Sequence, residues 1–399
     1  MTSRALLPLA VAGLLAAAGC RAPETPAERT ARLTRELLVV DGHVDLPSRI
    51  YEHPDVDVAV RSEEGDFDLP RAREGGLKAA FMAIYVPASL DDAPGGRARA
   101  DAMIDRVESA VARHPDLFAL ARSPGELRGA VSAGRFGWLL GIENGAAIEN
   151  DLAALRHFRQ SGVAYVTLCH SGNNRIADSS FAEDRRWHGL SPFGRDVVAE
   201  MNRLGMMIDI SHASDEAAQQ VLALSRAPVI ASHSACRHFT PGFERNISDE
   251  LLRQVAAKGG VVMIAFGSMF LSAAAQQQAM QGWDDLDRFR TEHGLNWDDP
   301  AMRAYSDEYR RAHPPVATSV KDVADHIEHA VRLAGVDAVG LGSDFEGVDR
   351  KPDGLPDVSG YRNVVRELVD RGWSDEDLRK VCGENLLRTW EHVLATAAN

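Results

Sequence analysis

Apolar, β-branched runs recur along the chain at residues 37–40, 79–86, 137–142, 163–169, 206–210, 228–231, 261–266 and 338–342. Near-continuous runs of this kind suit parallel strands covered on both faces. Between most of them, residues 101–113, 151–160, 193–204, 215–224, 249–258 and 320–334 carry the helical period, several behind acidic or capping starts. Eight strands alternating with helices predict a (β/α)8 barrel in preference to a doubly wound open sheet. Such a barrel gathers whatever stands at the carboxyl ends of its strands on one rim. Two stretches leave the pattern. Residues 268–318, containing AAAQQQAMQ and GWDDLDRF, exceed what a strand-to-helix connection needs. They read as a helical insertion between the seventh and eighth strands, either over the barrel mouth or as a packing or dimer-contact excursion. Residues 361–370 and 374–393 read as closing helices, the second starting at Ser374 and the acidic residues after it.

The 399 residues, 45% apolar and 26% charged, suffice for one large core, and a single barrel over residues 34–399 accounts for them. A net charge of -14 without a basic stripe argues against a nucleic-acid partner. The first twenty residues stand apart: Arg4, an apolar run over residues 6–18 that is short for a membrane span, then Ala18-Gly19-Cys20. This is the grammar of a bacterial lipoprotein signal, with Cys20 the lipidated residue and residues 21–33 a polar tether. A plain secretory peptide cut nearby is the alternative. Either way the protein is expected to be exported, periplasmic or anchored to the outer membrane. Cys169, Cys236 and Cys382 then remain, an odd number at wide spacing without a CxxC pair. They predict buried, inert thiols and no disulfide framework.

Polar residues stand where the runs end. His43 and Asp45 in VVDGHVD are two apart, so their side chains project to one side of an extended chain and can grip one ion. Glu143 ends the third run in LLGIENG with no lysine or arginine beside it. A buried carboxylate there calls for a metal, or for an arginine from elsewhere. His212 in MIDISH and His233 in VIASHS close the fifth and sixth runs. With a shared carboxylate they can hold a second divalent ion near the first, a clamp that binds and deprotonates a bridging water. His170 ends the fourth run in YVTLCH. Asp344, in VGLGSDFEG, stands where it can take a proton from the attacking water and pass it to the leaving amine; a loop-capping aspartate is the plainer reading. His53, His114, His326 and His392 lie in helix or loop contexts and read as surface residues. Imidazoles and carboxylates from several strands on one rim are the pattern of a metal-dependent hydrolase.

Taken in order, VVDGHVDLP, GGLKAAFMAIYVP, GIENG, VTLCHSGNN, MIDISHAS, VIASHSACR, the pair Arg245-Asn246 followed by Ile247-Ser248-Asp249, and GLGSDFEGV with DGLPDVSGY carry a resemblance. From about Thr34 to Leu394 the chain resembles the renal (membrane) dipeptidase family of zinc metallopeptidases, within the amidohydrolase superfamily. The resemblance implies two Zn2+ ions per subunit, His43 and Asp45 on the more buried, His212 and His233 on the more exposed, and Glu143 bridging both. It implies that His170 contacts the carbonyl oxygen as it becomes tetrahedral, that Arg245 clamps the terminal carboxylate of the substrate, with Arg237 a competing clamp, and that Asp344 moves the proton. It further implies a homodimer and hydrolysis of dipeptides, tolerant of a D-residue at the carboxyl side. Hydrolysis of N-acyl amino acids or lactams is the alternative on the same metals, and a non-catalytic ligand-binding lipoprotein is the alternative of another class. The disulfide of mammalian members has no evident counterpart at Cys169, and a lipid signal replaces their membrane attachment.

Overall fold

Nine strands pair in parallel in the computed structural model, which describes residues 24–297 and 299–397: β1 Val39–Val44, β2 Leu77–Tyr85, β3 Phe118–Leu120, β4 Phe136–Glu143, β5 Val163–Thr167, β6 Met207–Asp209, β7 Val229–Ala231, β8 Val261–Ile264 and β9 Val339–Leu341. Eight of them close a ring in the order β1-β2-β4-β5-β6-β7-β8-β9, with β9 returning to β1 through Asp41 and Leu341. The eight apolar runs are these eight strands, and the fold is the (β/α)8 barrel. β3 lies outside the ring: it pairs with the first residues of β4, while β5 pairs with the last. Three residues of strand are too short to show a period, which is why β3 is not legible in the chain.

β1 differs from its expected bounds in a way that matters for the site. The apolar run stops at Val40, but the strand continues through Asp41, Gly42 and His43 to Val44, all buried. His43 is therefore held within the strand by its ladder, and Asp45 begins the turn into helix Leu46–Glu52.

Two cores result from covering the strands on both faces. Inside the barrel, Val40, Phe81, Leu139, Tyr165, Ile230 and Met263 pack together, and the C-terminal helix Asn385–Ala397 closes the lower end with Leu386, Leu387 and Trp390. Outside, aliphatic residues of the strands meet the ring of helices. The insertion forms helices Ser268–Leu271, Ala273–Glu292 and Pro300–Ala312, and these stand over the mouth, contributing Met269, Met280, Trp283 and Tyr309 to its cavity.

The folded body starts earlier than Thr34. Pro26–Glu36 is an α-helix, opened by Thr25 in a capping box with Glu28. It docks by burying Leu33, 1% exposed, and by placing Arg29 and Arg32 on Asp375 at 2.6 and 2.8 Å. The polar tether reading of residues 21–33 is thus replaced by helix from Pro26 onward, because a lone buried leucine and the ion pairs give a short polar segment a partner surface. Cys20 and the signal lie outside the described residues. Among the described residues no helix is long and apolar enough to cross a membrane. Cys169, Cys236 and Cys382 are free and buried; burial pushes the thiols up, to about 12 for Cys236 and Cys382.

Candidate metal centre

Of the seven candidate residues on the strand ends, four histidines converge on Glu143, and Asp45 and Asp344 join through His43. Glu143 Oε2 lies 3.4 Å from His43 Nε2, and its Oε1 lies 3.3, 3.5 and 3.5 Å from Nε2 of His212, His233 and His170. His43 Nε2 is also 3.5 Å from Asp45 Oδ2. Tetrahedral ligation with bonds of ~2.1 Å spaces ligand atoms roughly 3.4 Å apart, so these separations are those of groups sharing an ion. His43 Nε2 is buried without a hydrogen-bond partner, and it points into the cluster. Asp344 joins His43 and Asp45 in one group of possible ligand atoms. One glycine lets the two aspartates meet: a Cβ on Gly347 would lie 2.3 Å from Asp45 Oδ2 and 2.6 Å from Asp344 Oδ1.

Electrostatics agree with the geometry. Burial opposes ionisation of Glu143, but His43 and His170 outweigh it and hold the carboxylate well below its usual range. Burial, then Arg245, keeps His212 neutral; burial, then His43, does the same for His233. Neutral imidazole is the form with a lone pair to give a metal. His43, between Glu143 and Asp45, is the imidazole raised well above its usual value in spite of burial. Asp45 and Asp344 are both pushed up, by burial and then by neighbouring carboxylates. Three buried carboxyl groups against one basic imidazole make a pocket suited to cations. Two of its residues also sit in left-handed backbone, His212 at φ 68° and Asp344 at φ 64°, a conformation that costs about 1 to 3 kcal/mol for such residues and gathers at functional sites.

The remaining candidates flank this cluster. His170, at 21% side-chain exposure, is more open than His43, His212 and His233, and its ring meets Tyr85 edge-on at 4.9 Å. Arg245 is buried and donates to His233 O at 2.8 Å and Ser234 Oγ at 3.0 Å, with Nη2 3.1 Å from His212 Nε2. None of these partners is anionic, so its charge is uncompensated by contact. Arg237, the competing clamp, is fully engaged, with both Nη atoms 2.6 Å from Asp215 and Nε on Asn246 O at 2.8 Å. Asp45, Glu143, His170, His212 and Asp344 line a cavity of about 680 Å³ beneath the insertion.

A model of the membrane dipeptidase family, peptidase family M19, matches residues 27–399. The chain belongs to the membrane dipeptidase family. Among other members, mouse dipeptidase 3 is 31% identical over 374 residues, which is 92% of this chain and 66% of the mouse protein. The chain thus spans just under two thirds of that relative. The probable dipeptidase PvdM of Pseudomonas aeruginosa superposes with a TM-score of 0.78 at 28% identity, covering 94% of this chain and 100% of that one. A metallopeptidase of Rhodobacter sphaeroides, whose structure holds a phosphinate mimic of the dipeptide L-Ala-D-Ala, gives 0.73 at 26% identity over 90% of this chain and 99% of that one.

The residues that aim the imidazoles are less legible in the chain than the imidazoles themselves. Tyr165 donates its hydroxyl to Gly42 O at 3.1 Å and lies 2.9 Å from His43 Nδ1. Its one proton being used, the hydroxyl accepts from Nδ1–H, so Nε2, on the side of Glu143, is the nitrogen whose proton a bound cation would displace. Ser232 does the same for His233: Oγ donates to Asp209 at 2.6 Å and faces Nδ1 at 2.7 Å. Asp209 also takes Ser211 and Ser232 N–H at 3.0 and 2.8 Å, and Asp41 takes His43 and Ser343 N–H at 3.0 and 2.9 Å, together with the hydroxyls of Ser343 and Tyr361. The signal was present in VVDGH and MIDIS, an aspartate two residues before an N–H that it binds. A second cluster, His238, Asp249 and His329, differs in kind. Arg332 donates to His329 Nδ1 at 3.1 Å, so Nε2 carries the proton it gives Asp249 at 2.8 Å, and no lone pair is free for an ion.

Proposed function

We propose that the protein is a zinc-dependent dipeptidase whose site is built on Glu143. The observation that carries this reading is the division of that carboxylate, one oxygen toward His43 and the other toward His212 and His233. His43 and Asp45 would hold one ion, His212 and His233 a second, with Glu143 shared. Two such ions would polarise the scissile carbonyl and lower the pKa of a water between them. Asp344, grouped with Asp45 and His43, would accept a proton from the attacking water and hand it to the leaving amine. His170 donates an N–H to the carbonyl oxygen as charge develops there. Arg245, buried without an anionic partner, takes the terminal carboxylate of the substrate, a role Arg237 cannot share while bound to Asp215.

Recognition through the two backbone termini places little demand on the chirality of the second residue. The relative that holds an L-Ala-D-Ala mimic supports tolerance of L,D substrates. Export with lipid on Cys20, and assembly as a homodimer, belong to the same proposal. The test is hydrolysis by the zinc-loaded protein and by a chelated control of L,L and L,D dipeptides, an amidated dipeptide and N-acetyl amino acids. Zinc-dependent cleavage of the free dipeptides, lost on amidation, is expected. Cleavage of the N-acyl compounds alone would overturn the reading in favour of an acyl-amino-acid hydrolase.

A further inference from the structure

The cavity lining combines two kinds of residue. One is the carboxyl groups of Asp45, Asp344 and Glu346; Glu346 is fixed by three donors on its Oε1, from Arg49, Asp66 N and Phe67 N, each at 2.9 Å. The other is apolar: Phe181, Met269, Phe270, Met280 and Val348. These five form one apolar cluster, with the buried Phe243 behind them, 6.0 Å from Phe181 and 6.3 Å from Phe270 by ring centroid. The Phe181 ring lies 6.0 Å from His212, and the guanidinium carbon of Arg245 lies 5.1 Å from the centre of the Phe270 ring. The apolar wall therefore adjoins Arg245, which makes no anionic contact.

We infer that this wall is the side-chain pocket for the C-terminal residue of the substrate, and that the enzyme selects dipeptides ending in a large apolar residue. The inference rests on the dipeptidase reading above. A dipeptide carries an ammonium at one end and a carboxylate at the other, and in the reading above Arg245, beside the wall, takes the carboxylate. The side chain of the last residue leaves the carbon next to that carboxylate. It is thus delivered to Phe181, Phe270 and Met280. Burying a leucine-sized side chain there favours it over glycine by roughly 10- to 100-fold in kcat/KM. Flexible methionines at two of the positions let the wall accommodate branched and aromatic shapes alike. A lysine or glutamate side chain finds no charged partner among these five residues and is disfavoured there by desolvation.

The experiment compares kcat/KM of the zinc-loaded full chain for L-Ala-Gly, L-Ala-L-Leu, L-Ala-L-Lys and L-Ala-L-Glu, in the wild type and in Met280→Lys. Met280 is half-buried on helix Ala273–Glu292, where a lysine is accommodated without filling the core. Expected in the wild type is Ala-Leu ahead of every other substrate, and in the variant a fall of about tenfold or more in the ratio of Ala-Leu to Ala-Glu. Equal turnover of Ala-Glu or Ala-Lys and Ala-Leu would overturn the inference, as would an unchanged ratio in Met280→Lys. Silence on all four, Ala-Gly included, would instead remove the dipeptidase reading, and this pocket assignment with it.

Discussion

Tyr165 reaches His43 from inside the barrel because Gly141 has no side chain: a Cβ there would lie 2.1 Å from the tyrosine ring. The hydroxyl, which fixes the tautomer of His43, can be removed with little change in packing. Tyr165→Phe is expected to weaken zinc binding about 10- to 100-fold, measured by competition with a chelator of known affinity, as for other partners that orient metal-bound histidines. Gly141→Ala should do the same and in addition cost about 1 to 3 kcal/mol of stability through overpacking. Asp344 separates chemistry from binding. In Asp344→Asn the zinc content should stay at the wild-type level while kcat falls about 10²- to 10⁴-fold. Full turnover in that variant would end its assignment to proton transfer.

At the scale of elements, His326 links three pieces of chain, and it corrects the expectation that it lies on the surface. It is wholly buried on helix Val320–Ala334; its Nδ1 accepts Cys236 N–H at 2.9 Å and its Nε2 donates to Leu271 O at 3.1 Å. The bond accepted by Nδ1 requires the neutral ring, and burial lowers its pKa from 6.5 to about 4. An unfolded chain binds the proton more readily between those values, so stability rises with pH across this window and falls as the medium is acidified through it. The loss reaches about 2 kcal/mol at pH 5. The stability advantage of the wild type over His326→Gln in urea unfolding should shrink by that amount between pH 7.5 and pH 5. The helix Pro26–Glu36 makes a second prediction of this kind. Leu33→Ala should cost about 2 to 5 kcal/mol of unfolding free energy, where a loose tether would register nothing. Barrel strands and closing helices were legible because burial on both faces writes continuous apolar runs into the chain. Helix 26–36, β3 and the polar half of β1 were not, since their partners are supplied by residues distant in sequence: Asp375 for the first, Phe136 for the second, Leu341 and Phe345 for the third.

For the whole molecule, the residues that cluster on Glu143 were legible one by one because the fold gathers strand ends on one rim, whereas the layer behind them was legible only in part. Asp41 and Asp209 show in the chain only the N–H two residues on, and no spacing announces the contacts that Tyr165 makes with His43 and Ser232 with Asp209. Since the cluster holds three buried carboxyl groups, a bound cation should stabilise the native state well beyond the site itself. Chelation is expected to lower the thermal midpoint, with free zinc at 100 times its Kd contributing about 2.7 kcal/mol, read by calorimetry with and without metal. The docked N-terminal helix bears on where the enzyme works. If Cys20 carries the lipid, only residues 21–25 separate it from the rigid body, and a fully extended chain from Cys20 to Pro26 spans at most roughly 20 Å. The catalytic body would then ride at the height of the lipid headgroups and their first hydration layers, sampling substrates released at the membrane surface ahead of those in free solution.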